Sequence, residues 1–289
     1  MQESKNITQK SASNLALAFI LLPREKRDGM SALYAFCREV DDVADEETVP
    51  VELRRSRLEE WRKDVRLACN SGSPQFAVNQ ELKAIIQKYS LKFELFDELI
   101  KGVEMDLDIQ RYETYEALEH YCYRVASVVG LLSIEIFGYK NPECTEYAIL
   151  LGKALQLTNI LRDVRLDAER GRIYLPLSEL RRFKVTEEEI LRHEYSPRYC
   201  EMARSIGART NDFYKRANLA LPREDRRSMV AAELMGSVYW RLLKKLESQD
   251  FDVFGPTLTR LTKAQKILLI IRAGLRTFSG ALMPNYGTT

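Results

Sequence analysis

The segment LQLTNILRDVRLDAERGRIYLP, Leu155 to Pro176, places the tightest constraint on what this chain can fold into. Leu155, Leu157, Ile160, Leu161 and Val164 recur at helical spacing and mark a helix buried on most sides. The same helix carries Gln156, Asn159, Asp163 and Asp167. At about 100° per residue these four fall within roughly 80° of one another around the axis. A second segment, LYAFCREVDDVADE (Leu33 to Glu46), repeats the pattern. There Tyr34, Arg38, Asp41 and Asp45 span roughly 60°, with Asp42 at the edge of the stripe. Two apolar helices, more than a hundred residues apart, thus each carry Asp-x-x-x-Asp along one line.

Carboxylates on apolar helices repel one another and are costly to bury unless something cationic compensates. A single such pair is an ordinary solvated helix face; two matching stripes call for a shared counter-charge. Arg38 and Arg162 supply only a little of it. Magnesium ions would supply the rest, because Mg²⁺ takes hard oxygen ligands and one or two carboxylates besides substrate phosphates. The spacing therefore predicts a cluster of Mg²⁺ ions gripping a diphosphate, with Asn159 and Gln156 adding neutral contacts. An allylic diphosphate held in this way ionises to a carbocation. That cation needs an apolar, aromatic-lined cavity between helices to keep water away. The helix YCYRVASVVGLLSIEIFGY suits this duty. Its Ala126, Ser127 and Gly130 either leave room for a chain or allow close helix packing.

With 289 residues, 45% of them hydrophobic and 30% charged, the chain can bury a large core and reads as soluble and globular. A net charge of +2, without basic blocks, argues against nucleic acid as a partner. Five scattered cysteines suggest reduced thiols in the cytoplasm. Two histidines, His120 and His193, leave little basis for a zinc site or a Ser-His hydrolase. The stretch LALAFILLP (Leu15 to Pro23) lacks a cleavage site and is too short to span a bilayer, so a buried first helix is expected. Helical periodicity dominates elsewhere, with glycines and prolines between the periodic segments. No strand pattern, internal repeat or biased linker breaks it, so one large all-α domain over 1–289 is expected. The segment KAQKILLIIRAGLRTFSGALM is basic and apolar. It reads first as a final core helix and second as a membrane-surface element.

The blocks YAFCREVDDVADE, GVEMDLDIQRYETYEALEHYCYRVASVVGL and LQLTNILRDVRLDAERGRIYLP resemble the signature blocks of the squalene/phytoene synthases, in order, from about Ser11 to Arg272. The resemblance implies a single helical isoprenoid-synthase domain around a central cavity, joining two prenyl diphosphates head to head. It matches Asp41, Asp42 and Asp45 to the first Mg²⁺-diphosphate motif. Asp163 and Asp167, with Asn159, match the second. Arg38, Gln156, Asn159, Arg162, Arg172 and Tyr239 fall at substrate-binding positions, and Tyr34, Tyr121 and Tyr174 at aromatic positions of the reaction centre. The opening SASNLALAFILLP and the ending FDVFGPTLTRLTKAQK look most like bacterial presqualene diphosphate synthases, which use two molecules of farnesyl diphosphate in squalene and hopanoid pathways. Leu15 to Leu17 and Leu166 depart from the family pattern, so phytoene, dehydrosqualene or squalene formation stand as alternatives. No Gly-rich dinucleotide fingerprint is present, which disfavours a Rossmann-type NADPH site. A terpene cyclase would share the metal logic but use one substrate. A non-catalytic scaffold relative would have no need of five aspartates on apolar helices. Oligomeric state is left open.

Overall fold

The computed structural model describes residues 1–10, 18–279 and 286–287. Helices account for nearly all the order, and no strand occurs among the described residues. A short α1 (Gln2–Lys10) is followed by a 3-10 turn (Phe19–Leu21) and then α2 (Arg24–Asp45), α3 (Val51–Cys69), α4 (Ala77–Tyr89) and α5 (Phe93–Asp108). Next come α6 (Tyr115–Cys122), a π-helical turn (Tyr123–Ser127) and α7 (Val128–Phe137), which together form one continuous run. The remaining helices are α8 (Cys144–Glu169), α9 (Leu177–Phe183), α10 (Glu187–Leu191), α11 (Pro197–Ala220), α12 (Val230–Ser248) and α13 (Lys263–Ser279).

The two striped segments lie in two of the three longest helices among the described residues. α2 has 22 residues and follows Pro23, whose fixed φ suits a helix entry. α8 has 26 residues, about 39 Å at 1.5 Å per residue. Its Leu150, Leu151, Ala154, Leu157, Ile160, Leu161 and Val164 are all buried, because α7, α11, α12 and the π turn surround it. α2 packs on α3, α4, α5 and α7. α2 and α8 therefore face one another across a space walled by α5 and the π turn.

Small residues fix how closely the walls approach. A Cβ on Gly102 of α5 would stand 2.7 Å from the Arg124 Cβ, and one on Gly152 of α8 would stand 2.5 Å from the Ser127 Cα. Both contacts are impossible for any larger residue, so α5 and α8 pinch the π turn between them. Close packing holds for Ser127 and for Gly130, where a Cβ would stand 2.9 Å from the Ala148 carbonyl oxygen. Ser127 is buried and its hydroxyl donates to the Ile149 carbonyl at 2.8 Å, a packing role. Ala126, Gly130 and Gly152 line an apolar cavity.

The first-helix reading of Leu15 to Pro23 lies partly outside the described residues; within them Ala18 is helical, Phe19 to Leu21 form a 3-10 turn, and Ala18, Phe19 and Leu22 are buried while Ile20 is 55% exposed. One expectation needs correction. The final core-helix reading fails for much of α13: it rests on α12, yet Ile267, Leu268 and Ile271 are 56%, 66% and 53% exposed. Among the described residues no helix is long and apolar enough to cross a membrane.

Candidate active site

A polar cavity opens between the facing stripes, and its wall includes Asp41 and Asp45 from α2, Asp106 from α5, and Gln156 and Asp167 from α8. Arg38, Arg170 and Arg172 face the same space, with Tyr121 and Tyr174. The apolar cavity is lined from the same elements: Gln156 and Val125 wall the first, while their neighbours Leu155 and Ala126 wall the second. One compartment collects charge; the next is bare hydrocarbon and aromatic surface.

The return of the chain after α8 positions much of this wall. Gly171 takes φ +70°, a left-handed conformation that glycine adopts without a Cβ clash. The Arg172 amide then donates to the Asp167 carbonyl at 2.9 Å, closing the helix end. The Ile173 amide donates to the Gln110 carbonyl at 3.0 Å, tying the returning strand of chain to the end of α5. Arg172 and Tyr174 are thereby carried beside Asp106, which no local sequence pattern implies.

Asp106 is the centre of a hydrogen-bonded aromatic group. Tyr174 donates to its Oδ1 at 2.7 Å and Tyr121 to its Oδ2 at 3.0 Å. The Tyr121 and Tyr174 rings stack with centroids 5.3 Å apart, and Tyr112 lies 5.4 Å from the first and 5.9 Å from the second. Burial raises the carboxyl pKa of Asp106, opposed by the Tyr174 and Tyr121 hydroxyls and the Arg172 charge. Burial, reinforced by Asp106, also pushes the Tyr121 and Tyr174 phenols well up, so both remain neutral donors. The Tyr112 hydroxyl is buried without a hydrogen-bond partner.

The acids divide into paired and unpaired sets. Asp42 is half-exposed at the stripe's edge and is held by Arg38, at 2.5 Å and 3.1 Å. Asp163 is held by its neighbour Arg162 through two bonds, at 2.8 Å and 2.5 Å. Tyr239 stands beside the same guanidinium. Asp45 has Arg170 at 3.4 Å and Arg172 at 3.7 Å. Asp41 and Asp167 have no ion pair among the described residues. Asp41 is open to the cavity's water on one side and ringed by protein on the others; burial and then Asp45 and Asp106 push its carboxyl up to about 7. Burial and then Asp163 push Asp167 up to about 8, against the pull of Arg172 and Arg170.

Among the sequence-based candidates, Arg38, Asp41, Asp45, Tyr121, Gln156, Asp167, Arg172 and Tyr174 share the polar cavity. Asp42, Asn159, Arg162, Asp163 and Tyr239 lie outside its wall. Tyr34 also lies outside, its ring edge-on to Phe19 of the apolar cavity at 6.5 Å. Sequence reasoning missed Asp106 and Arg170. For Asp106 a signal existed: it sits between Met105 and Leu107, three residues after buried Val103, on the inward face of α5.

The donor set suits divalent cations. Hard carboxylate oxygens dominate it, two of those carboxyls are raised by burial and then by neighbouring acids, and the Asn159 Oδ1 is buried with no partner. No three acidic, imidazole or thiol groups among the described residues form a complete metal cage. Mg²⁺ seldom uses one, as it keeps waters and phosphate oxygens in its shell.

The structure matches that of a dehydrosqualene synthase solved in complex with ligand, with a TM-score of 0.84 and 25% identity over 96% of this chain and 95% of that one. A squalene synthase from Alicyclobacillus acidocaldarius matches with a TM-score of 0.76 at 25% identity, over 86% and 93% of the two chains. In sequence, a presqualene diphosphate synthase of Rhodopseudomonas palustris is 36% identical over 265 residues, 90% of this chain and 92% of that protein. A phytoene synthase of Arthrospira platensis is 35% identical over 266 residues, 87% and 85% of the two. The squalene/phytoene synthase profile matches residues 8–265, a span that holds every acid and tyrosine of the polar cavity. The helical architecture, the facing acidic stripes and these matches agree: the chain belongs to the squalene/phytoene synthase family of prenyltransferases.

Proposed function

We propose that this chain condenses two molecules of farnesyl diphosphate head to head to presqualene diphosphate, with Mg²⁺ and without NADPH. The observation that carries the reading is a carboxylate- and arginine-walled cavity and an apolar one, both lined from α8 and the π turn. A prenyl diphosphate has the matching two ends.

Asp41, Asp45, Asp163 and Asp167, with the Asn159 amide oxygen, would hold Mg²⁺, and Asp42 stands at the rim to join them. When bound, the ions draw electron density from the diphosphate and make it a leaving group. Arg38, Arg162, Arg170 and Arg172 bind the remaining phosphate oxygens, and Gln156 orients them at the mouth of the apolar cavity. Leu155, Gly152, Ala148 and Ala126 shield the chain from water, which protects a carbocation against capture. Tyr121 and Tyr174, kept neutral and fixed by Asp106, present ring faces and oxygen lone pairs near the cation. The C15 chain is favoured because Ile134, Phe137 and Tyr147, all buried, wall the apolar cavity. Tyr147 lies nine residues before Gln156, about 14 Å along α8.

The product is a lipid, and α13 offers it a surface. Ile267, Leu268 and Ile271 form an exposed apolar face, with Lys263, Lys266 and Arg272 on the same helix. This favours a peripheral position on the cytoplasmic side of a membrane over a freely diffusing enzyme.

Purified protein supplied with Mg²⁺ and either farnesyl or geranylgeranyl diphosphate, with and without NADPH, tests the reading by extraction of the lipid made. Presqualene diphosphate from farnesyl diphosphate alone is expected, and Asp41→Ala and Asp163→Ala should abolish it while the fold persists. Phytoene from the longer substrate would move the assignment within the family. Cyclic products of a single farnesyl unit, or turnover in both variants, would overturn it.

A further inference from the structure

Tyr286 lies at the opposite end of the molecule's site helix from the acids, yet it is fully buried. Its ring meets Tyr214 of α11 edge-on, with centroids 5.8 Å apart. On the other side it covers Gly236 of α12 so closely that a Cβ there would stand 2.4 Å from the ring. The Asn218 amide donates to its carbonyl at 2.8 Å. Gly287 follows at φ +72°, where a Cβ would meet the backbone of Tyr214 and Lys215 at 3.0 Å. The seat is thus cut for a tyrosine followed by glycine.

What the seat touches gives it a consequence for the reaction. The Tyr286 hydroxyl donates to the Glu233 Oε1 at 2.7 Å, and Tyr147 donates to the same oxygen at 3.2 Å. The two hydroxyls lie 3.4 Å apart, and Arg226 stands 3.9 Å from the other Glu233 oxygen. Tyr147 is also wall of the apolar cavity, together with Ala231 and Ala232 from the helix that carries Glu233. A tyrosine turns about only two side-chain bonds, so sharing one carboxylate oxygen with a second phenol, inside a filled slot, leaves Tyr147 a single place.

We propose that Tyr286 is a positioning residue that sets the depth of the prenyl-chain cavity by holding Tyr147 against Glu233. The proposal rests on the prenyl-diphosphate reading of the site. Removing the Tyr286 ring leaves a phenol-sized void next to Tyr147. Tyr147 can then swing into it and deepen the apolar cavity, so that longer chains are accepted. Filling the void without restoring the hydroxyl should hold Tyr147 in place.

The test compares Tyr286→Ala and Tyr286→Phe with the parent for binding of unreactive thiodiphosphate analogues of farnesyl and geranylgeranyl diphosphate, by calorimetry, and for kcat/KM with the two substrates. Tyr286→Ala is expected to move the ratio of affinities about tenfold toward the longer chain. Tyr286→Phe should keep the parent ratio, and free p-cresol should return the alanine variant toward it, as small aromatics enter engineered cavities. Should the alanine variant not fold, Tyr286→Leu takes its place under the same criteria. An unchanged ratio, or equal loss of both chain lengths, overturns the proposal while leaving the family reaction intact. If the parent binds neither analogue, the prenyl-diphosphate reading has failed and this inference falls with it.

Discussion

Replacing Asp167 by asparagine should make the ligand-free protein more stable and the liganded protein less so. Asp167 has its carboxyl pushed up from 3.8 to about 8, first by burial and then by Asp163. Between those two pH values the folded chain holds a proton that the unfolded chain has released, so stability falls as pH rises through that window. At about 1.4 kcal/mol per pKa unit, the roughly four units set a ceiling near 6 kcal/mol. The side chain keeps part of its surface in the cavity's water, which screens it and reduces the expected figure to about 1–3 kcal/mol. Asparagine keeps the shape and carries no charge, so Asp167→Asn escapes this loss. For a chain of this size each kcal/mol moves Tm by about 2–4 °C, giving a gain of roughly 2–12 °C at pH 9. By pH 5 the gap should shrink to about a third of its size at pH 9, and it should close as the pH falls to 3.8, where the unfolded chain's carboxyl is protonated as well. Adding Mg²⁺ with an unreactive diphosphate should raise the parent's Tm and scarcely move the variant's, reversing their order. Thermal denaturation from pH 5 to 9, with and without ligand, decides the matter. A variant less stable than the parent at pH 9, or a gap that does not widen with pH, would refute the reasoning.

Asp106→Asn leaves a single carboxamide oxygen for two phenols and removes the charge that orders the Tyr121–Tyr174 stack. A fall in kcat of about a hundredfold with a small change in Tm is expected, and near-parent kcat would show the carboxylate to be mere packing. Leu268→Glu and Ile271→Glu place charges on the exposed face of α13 without disturbing buried contacts. Flotation with anionic liposomes should recover much less of these variants than of the parent, and equal recovery would end the membrane assignment.

How much was legible depended on whether a residue's neighbours were local. The stripes on α2 and α8 could be read because helical rotation is fixed, and rotation even put Asp42 at the rim, where it is half-exposed against Arg38. Asp106 escaped notice because it is one acid on its helix face, with no second acid in register to mark a stripe. Arg170 and Tyr174 reach the cavity through the reversal at Gly171 and the bond from Ile173 to Gln110, contacts set by tertiary structure. The exposed face of α13 has the same apolar periodicity as a core helix, and sequence cannot say which helices find a neighbour on every side. Tyr286 lies in no periodic segment at all. Its slot is made by Gly236, Tyr214 and Glu233, fifty or more residues upstream.

The pairing of the site's charges bears on how a ligand can enter. Arg38, Arg162 and Arg170 are each engaged by an aspartate in the ligand-free chain, and on the proposed reading these are the groups that bind the diphosphate. Binding would then exchange partners: aspartates would pass to cations, arginines to phosphate oxygens. Where a pair is half-exposed, as for Arg38–Asp42 and Arg170–Asp45, breaking it costs about 1 kcal/mol or less, so the exchange is cheap. The gain is concentrated at Asp41 and Asp167, whose like-charge crowding no arginine relieves by direct contact. Either half of the ligand alone leaves one set of charges worse off. Cation without diphosphate frees the arginines to repel one another, and diphosphate without cation adds negative charge beside the four carboxylates of the cavity wall. The favourable state is the one in which both arrive, so affinity for each should rise steeply in the presence of the other.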